Sequence, residues 1–286
     1  MLQHSTIQLL RFHFSFFLMP VFWFALSQVV EINLYHSILI FFILHLLAYP
    51  SSNGYNSYMD RDTESIGGIK NPQQPTFQLY HISLLMDGLA LLLCLFISIY
   101  FFAGLLLFIL ASRAYSYRGI RLKKYPVIGY LTVIIFQGAL VYFIVRHGCS
   151  QSKTLHISWS AMLGSSLLIG AFYPLTQIYQ HRQDAADGVR SISAALGYRG
   201  TFIFSAVVFV AAMFVLAWYF GNNLELDRFF MMQIFMLPAL VYFFWWMSKV
   251  FASEKAANFK NTMAMNAIGS LCTNAAFMSI VIKEQF

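Results

Sequence analysis

Charge is scarce in this sequence. Only 10% of its 286 residues are Asp, Glu, Lys or Arg, against about 25% in an ordinary soluble domain. Hydrophobic types reach 59%. Folding alone cannot keep that much apolar surface from water, so a soluble globular domain is excluded. Disorder is excluded for the same reason. The net charge is +7, but the basic residues are spread along the chain. They make no soluble basic domain, and no nucleic-acid partner is expected. Cysteine is scarce too. Cys94, Cys149 and Cys272 are an odd number without a C-x-x-C pair, which argues against a disulfide framework or a thiolate metal site. They read as small apolar packing residues.

What is present is a series of long apolar runs. A bilayer needs about 20 such residues per helix. Nine apolar runs are read as spans, over residues 12–30, 35–50, 82–97, 100–111, 127–145, 157–178, 202–220, 229–250 and 263–282, or eight if one of them is re-entrant. The first is long and has no small-residue cleavage site after it, so it reads as a span and not a signal peptide. The boundary between the third and fourth runs carries no charge. The expected fold is all-α, a single polytopic bundle of about nine transmembrane helices over residues 1–286. Trp23, Trp159, Trp218, Trp245 and Trp246 sit near run ends and read as interface anchors.

The charges test that reading. With the N-terminus inside, the outer Lys and Arg are only Arg146, Lys153, Arg228 and Lys283. The other fourteen of the eighteen face inward. That is a positive-inside pattern, with a cytoplasmic N-terminus in an inner or cytoplasmic membrane. The outer acids are Glu31, Glu225, Asp227 and Glu284. Two inward loops, 51–81 and 180–201, are polar and hold Asp60, Asp62, Glu64, Asp184 and Asp187. Each follows an apolar run ending in Tyr-Pro, at Tyr49-Pro50 and Tyr173-Pro174. Long polar loops in a compact protein are usually functional.

Placed on a helix, Asn53, Asn56, Asp60 and Glu64 share an arc of about 80°. Tyr173, Gln177, Gln180, Asp184 and Asp187 share another of about 80°. Carboxylates one turn apart repel. Two such faces at one membrane surface call for a cation between them, and Mg²⁺ suits carboxylates plus phosphate oxygens. Lys70, Arg121, Lys123, Lys124 and Arg190 are placed to neutralise a phosphate. Carboxylates, Mg²⁺ and bases above an apolar bundle suit a diphosphate with a long hydrophobic tail. The metal stabilises the leaving diphosphate. Aromatic faces, 18% of the residues, stabilise an allylic cation.

These motifs resemble the intramembrane UbiA-type prenyltransferase superfamily. Its first motif, N-D/x-x-x-D-x-x-x-D, is similar to Asn56-Ser-Tyr-Met-Asp60-Arg-Asp-Thr-Glu64. Its second, D-x-x-x-D, is similar to Gln180-His-Arg-Gln-Asp184, followed by Gly188, Arg190-Ser191 and Leu196-Gly197. Its Tyr-x-x-x-Lys element resembles Tyr117-Arg-Gly-Ile-Arg121. The resemblance spans the whole chain. It implies Asp60, Asp184, Tyr117 and Arg121 as catalytic residues. Asn53, Lys70, Lys123, Arg190, Tyr173 and Gln177 would bind substrate. Asn56, Asp60, Glu64, Gln180, Asp184 and Asp187 would surround Mg²⁺. Three positions depart from the pattern: Ser57 and Glu64 stand where Asp is usual, and Gln180 keeps an oxygen but loses a charge. The expected reaction is Mg²⁺-dependent transfer of a polyprenyl group from an allylic isoprenoid diphosphate to a lipophilic acceptor. Cyclisation without an acceptor, by a UbiA-type terpene cyclase, stays open. So does a non-catalytic binder or transporter, although acids at one surface argue against transport.

Single residues carry weaker expectations. Asp87, inside a span, reads either as functional or as a capping or snorkelling group. His45 reads as a hydrogen-bonded structural residue. The run from Arg118 to Lys124 serves substrate at Arg121 and Lys123, and topology or anionic-lipid contact elsewhere.

Overall fold

The computed structural model describes the backbone of residues 1–285 and the side chains of residues 1–283. Glu284 therefore lies outside the described side chains, and Phe286 outside the described residues. The chain is all helical. Its only strand-like pairings among the described residues are the isolated bridges Ile32–Ser150 and Ile66–Ile69.

In chain order the helices are α1 (His4–Leu10), α2 (Met19–Ser27), α3 (Leu34–Asp60), α4 (Phe77–Cys94), α5 (Ile99–Ser116) and α6 (Pro126–Cys149). They continue as α7 (Trp159–Gln177), the short α8 (His181–Ala186), α9 (Ile192–Asn222), α10 (Leu226–Ala252) and α11 (Phe259–Gln285). Among the described residues, eight segments are long and apolar enough to cross a membrane, counting α1 and α2 as one. The ninth expected span is α7, which has 19 residues. It is richer in Ser and Gly because much of it is buried inside the bundle, where Ser160, Gly164, Ser165, Ser166 and Gly170 let neighbours approach. Small residues at helix contacts are how membrane bundles pack closely. A Cβ on Gly138 of α6 would lie 2.5 Å from the Cα of Ser166, so these two backbones nearly touch.

Several boundaries differ from the hydropathy runs. The first run is broken. Arg11 takes a left-handed conformation at φ 50° and ends α1, and a tight 3₁₀ turn over Phe12–Phe17 follows. The third and fourth runs turn at Ser98, whose hydroxyl accepts from the Phe101 N–H at 3.0 Å. That cap supplies the stop that charge does not. The second span does not stop at Pro50 but continues to Asp60, so the first acidic motif is the end of a membrane helix. α3 and α6 each contain a wider π segment, Ile43–Ala48 and Ile134–Leu140.

Three further expectations change. Trp246 is fully buried and donates to the Ala256 carbonyl at 2.8 Å, so it packs the interior and does not anchor at an interface. Asp87 neither caps nor snorkels. It forms a buried ion pair with Arg113 and accepts from Ser51 at 2.6 Å, while the Arg113 guanidinium lies over the Tyr55 ring. His45 is 1% exposed, yet neither ring nitrogen has a hydrogen-bond partner. It is held by aromatic contacts with Phe22, Phe41 and Tyr49. All three cysteines are free and buried, as packing residues should be.

Candidate active site

The polar connections after α3, α5 and α7 meet at one end of the bundle. α3 ends without Gly or Pro. Arg61 adopts the left-handed conformation at φ 55°. Arg118, from the loop after α5, donates to the carbonyls of Met59 at 2.7 Å and Asp60 at 3.3 Å. These are two of the carbonyls that a helix end leaves unpaired. The helical periodicity therefore stops at Asp60. Glu64 is exposed and does not share a face with Asp60, against expectation. Asp62, two residues closer, turns inward instead.

The second motif is also not one helix. α7 ends at Gln177, the chain turns through Ile178 and Tyr179, and α8 begins at His181. Tyr173 and Gln177 thus belong to one helix and Asp184 to another. Asp187 lies just past the end of α8, and Gly188, at φ 68°, reverses the chain there. The turn carries Asp187 to the rim, where it pairs with Arg121 and, at 3.3 Å, with Arg118.

A cavity of about 120 Å³ lies between the two motifs. Asn56, Asp60, Asp62, Lys123, Gln177, Gln180 and Asp184 line it, with Arg11, Tyr115, Tyr173 and Asn266. Of the expected residues, Glu64, Asp187, Lys70, Arg190, Tyr117 and Arg121 do not line it. Lys70 and Arg190 are exposed, and Tyr117 is 48% exposed at the end of α5. Arg121 is buried behind the cavity and bridges Asp187 and Asp60, the latter at 3.6 Å. Asn53 lies one turn deeper, on the wall of a neighbouring cavity.

Arg11, Asp62, Tyr115 and Asn266 enter the site unforeseen. Arg11 is counted in sequence only as a topology charge. Asp62 is within the motif, and a helix ending at Asp60 would have selected it over Glu64. Nothing local marks Tyr115 or Asn266.

The carboxylates divide into two kinds. Asp60 is paired with Lys123 and accepts from Asn56 Nδ2 at 2.9 Å, although its Oδ1 is buried without a hydrogen-bond partner. Asp187 is partly desolvated, but hydrogen bonding and charge from Arg121 and Arg118 outweigh that and hold its carboxyl below the usual range. Asp62 and Asp184 form no ion pair among the described residues. Burial, with repulsion from Asp60, pushes Asp62 up to about 6 despite Lys123 and Arg11. Burial pushes Asp184 up to about 7, with Lys123 opposing and Asp62, Asp60 and Asp187 adding repulsion. Two partly desolvated, mutually repelling carboxyls thus face one small polar cavity.

Among the described residues, no three His, Cys, Asp or Glu converge tightly enough to hold a metal alone. The donor set fits a hard cation that takes one or two carboxylates and fills its shell with waters and phosphate oxygens. The orphaned Oδ1 of Asp60 and Oε1 of Gln177 are buried acceptors suited to that shell.

A second cavity, of about 190 Å³, continues into the bundle and shares Phe14, Tyr173, Thr176 and Asn266 with the first. Phe17, Phe24, Tyr49 and Phe172 line it with Asn53, Gln137 and Ser270, and no charged residue is among its walls. Both tyrosines of the two Tyr-Pro pairs, Tyr49 and Tyr173, face this cavity.

The sequence matches the UbiA prenyltransferase family over residues 15–268. No curated protein matches it. Solved structures share its fold. A UbiA homolog from Archaeoglobus fulgidus, bound to DMAPP and Mg²⁺, is 16% identical with a TM-score of 0.73, covering 97% of this chain and 99% of that one. A digeranylgeranylglyceryl phosphate synthase is 16% identical with a TM-score of 0.62, covering 98% and 97%. A UbiA homolog from Aeropyrum pernix K1 is 15% identical with a TM-score of 0.66, covering 94% and 98%. With nearly all of the chain matched and two acidic motifs gathered at one end of a helical bundle, this is an integral membrane enzyme that belongs to the UbiA prenyltransferase family.

Proposed function

We propose that this protein transfers a polyprenyl group from an allylic isoprenoid diphosphate to a lipophilic acceptor, with Mg²⁺ as its metal and an aromatic, quinone-precursor-like ring as the acceptor class. The carrying observation is the division of the acids. Asp60 and Asp187 are bound to bases, while Asp62 and Asp184 lack ion-pair partners and face the same cavity as Lys123 and Arg11. Asp62 and Asp184 would hold Mg²⁺, with Asn56, Gln180 and Asp60 Oδ1, which has no hydrogen bond and a 3.6 Å ion pair to Arg121, beside them. Mg²⁺, when bound, neutralises the diphosphate and stabilises it as it leaves. The Archaeoglobus fulgidus relative carries DMAPP and Mg²⁺.

Lys123 and Arg11 are placed to bind the diphosphate oxygens from the cavity wall. The prenyl carbons then lie in the second cavity. When the allylic carbon–oxygen bond breaks, its electron pair leaves with the diphosphate, and the cation would lie among the aromatic residues Phe14, Phe24 and Tyr49 that line the cavity. Exclusion of water by these walls keeps the cation for the acceptor.

The uncharged polar groups of the second cavity support transfer over cyclisation. Asn53, Gln137, Asn266 and Ser270 can hydrogen-bond a polar acceptor head, and the Asn53 and Asn266 amide nitrogens have no partner. A cyclase pocket gains nothing from groups that could trap its cation. The excess of bases near the site supports a cytoplasmic orientation.

The test is diphosphate release by purified protein with Mg²⁺ and allylic diphosphates of several lengths, with and without aromatic acceptors. Acceptor-dependent release with a new prenylated lipid is the expected result. Release with a hydrocarbon or alcohol product and no acceptor would establish the cyclase instead. No release under any condition would overturn catalysis.

A further inference from the structure

A third cavity lies beside the second, along another face of α7, and reaches the outside of the bundle, where Val210 and Phe244 of its wall are exposed. It holds about 260 Å³, between α7, α9, α10 and α11. Its walls include Leu175, Ala206, Phe209, Met236 and Met265, and Ser205 is the one polar side chain among its described lining residues. Nothing in it can bind a headgroup or an ion. An apolar recess of this kind suits an apolar chain and penalises a polar one.

One side chain is common to the walls of this cavity and the substrate cavity. Phe172 of α7 borders both. Its ring lies against Gly269 of α11, so closely that a Cβ on Gly269 would collide with Phe172 Cε1. Gly269 thus makes the room that Phe172 occupies in the shared wall. Phe172 is five residues before Gln177 on the same helix, about 7.5 Å along its axis. That exceeds the reach of a single isoprene unit anchored at the carboxylates, but a longer chain arrives at Phe172.

We propose that the chamber behind Phe172 receives the distal isoprene units of long-chain diphosphates, and that Phe172 governs their entry. This rests on the polyprenyl diphosphate reading above. The occupant is chosen by continuity: the chamber is apolar, is uncharged, and adjoins the cavity that leads from the diphosphate site.

Two variants test it in opposite directions. Ala206→Phe fills the chamber without touching the diphosphate site. It should lower kcat/KM at least about tenfold for geranylgeranyl and longer diphosphates and leave dimethylallyl diphosphate unchanged. Phe172→Ala opens the shared wall and should shift the preference about threefold or more towards longer chains. Short-chain turnover reports folding, and Ser205→Leu narrows the same chamber if Ala206→Phe does not fold. Equal effects on all chain lengths would overturn the proposal. Binding of non-ionisable polyprenyl thiodiphosphates in Mg²⁺ gives a second readout. If no length is turned over, but tighter binding of long chains is lost in Ala206→Phe, the chamber stands and the catalytic reading fails. If affinity is independent of length in both proteins, the chamber proposal fails.

Discussion

Gln183 donates a hydrogen bond to the carboxylate of Asp62, joining the two acidic loops across 121 residues of sequence. That bond fixes which acid of the first motif faces the site. It also ties the position of Asp62 to the turn that carries Asp184.

Asp62 and Glu64 should therefore behave differently. Asp62→Asn is expected to weaken Mg²⁺ binding at least about tenfold, since the loss of even an outer-shell partner costs a metal site about 10–100-fold. Glu64→Gln, at an exposed position, should change stability by no more than about 0.5 kcal/mol and leave the metal dependence intact. Mg²⁺ titrations of diphosphate release check both. Equal losses in the two variants would return Glu64 to the metal shell.

Stability should depend on pH through the same carboxyls. Burial raises Asp62 to about 6 and Asp184 to about 7, against about 3.9 in an unfolded chain. The folded state thus holds these protons more tightly. Their contribution favours the folded metal-free protein at low pH, declines as pH rises from about 4 to about 7, and is flat above. Asp187 acts in the opposite sense, and its support is lost only as pH falls below the usual carboxyl range. Mg²⁺ needs ionised ligands, so its stabilising effect should be larger at about pH 8 than at about pH 5. Thermal unfolding in detergent, with chelator or Mg²⁺, measures this. A pH-independent metal effect would rule it out.

The buried pair of Asp87 and Arg113 is structural and outside the cavity walls described above. Arg113→Met leaves Asp87 buried without its partner and should cost about 3 kcal/mol, at the low end for such pairs because both groups keep some exposure. Replacing both residues by apolar ones should recover much of that loss. Unfolding midpoints of the single and double variants decide it. A neutral Arg113→Met would mean that Asp87 has another partner.

Orientation can be read by thiol labelling. The native cysteines are all buried, so single introduced cysteines should label without background. Lys70→Cys, beside the site, should react only when reagent reaches the cytoplasmic face. Leu224→Cys, at the exposed turn between α9 and α10, should react from the other face. The reverse pattern would invert the topology.

Much of the architecture was legible in the residues. Hydropathy located the spans, and the distribution of Lys and Arg supplied an expected orientation, because the cost of placing a residue in lipid is largely local and summed along the chain. The motif residues Asn56, Asp60, Asp184 and Gln180 were legible as well, and they line the cavity. The turn at Ser98 was less so, since a hydroxyl cap leaves little trace in hydropathy.

The sequence by itself determined that this chain spans a membrane and gathers acids and bases on its polar connections. Only the tertiary structure decided which acids face one another. α3 stops at Asp60 because Arg118, from another loop, takes its last carbonyls, and no residue near Asp60 announces that stop. The same holds for Asp87 with Arg113 and for Phe172 against Gly269. Each depends on two distant segments meeting, and helical periodicity carries no information about where a neighbouring helix will be.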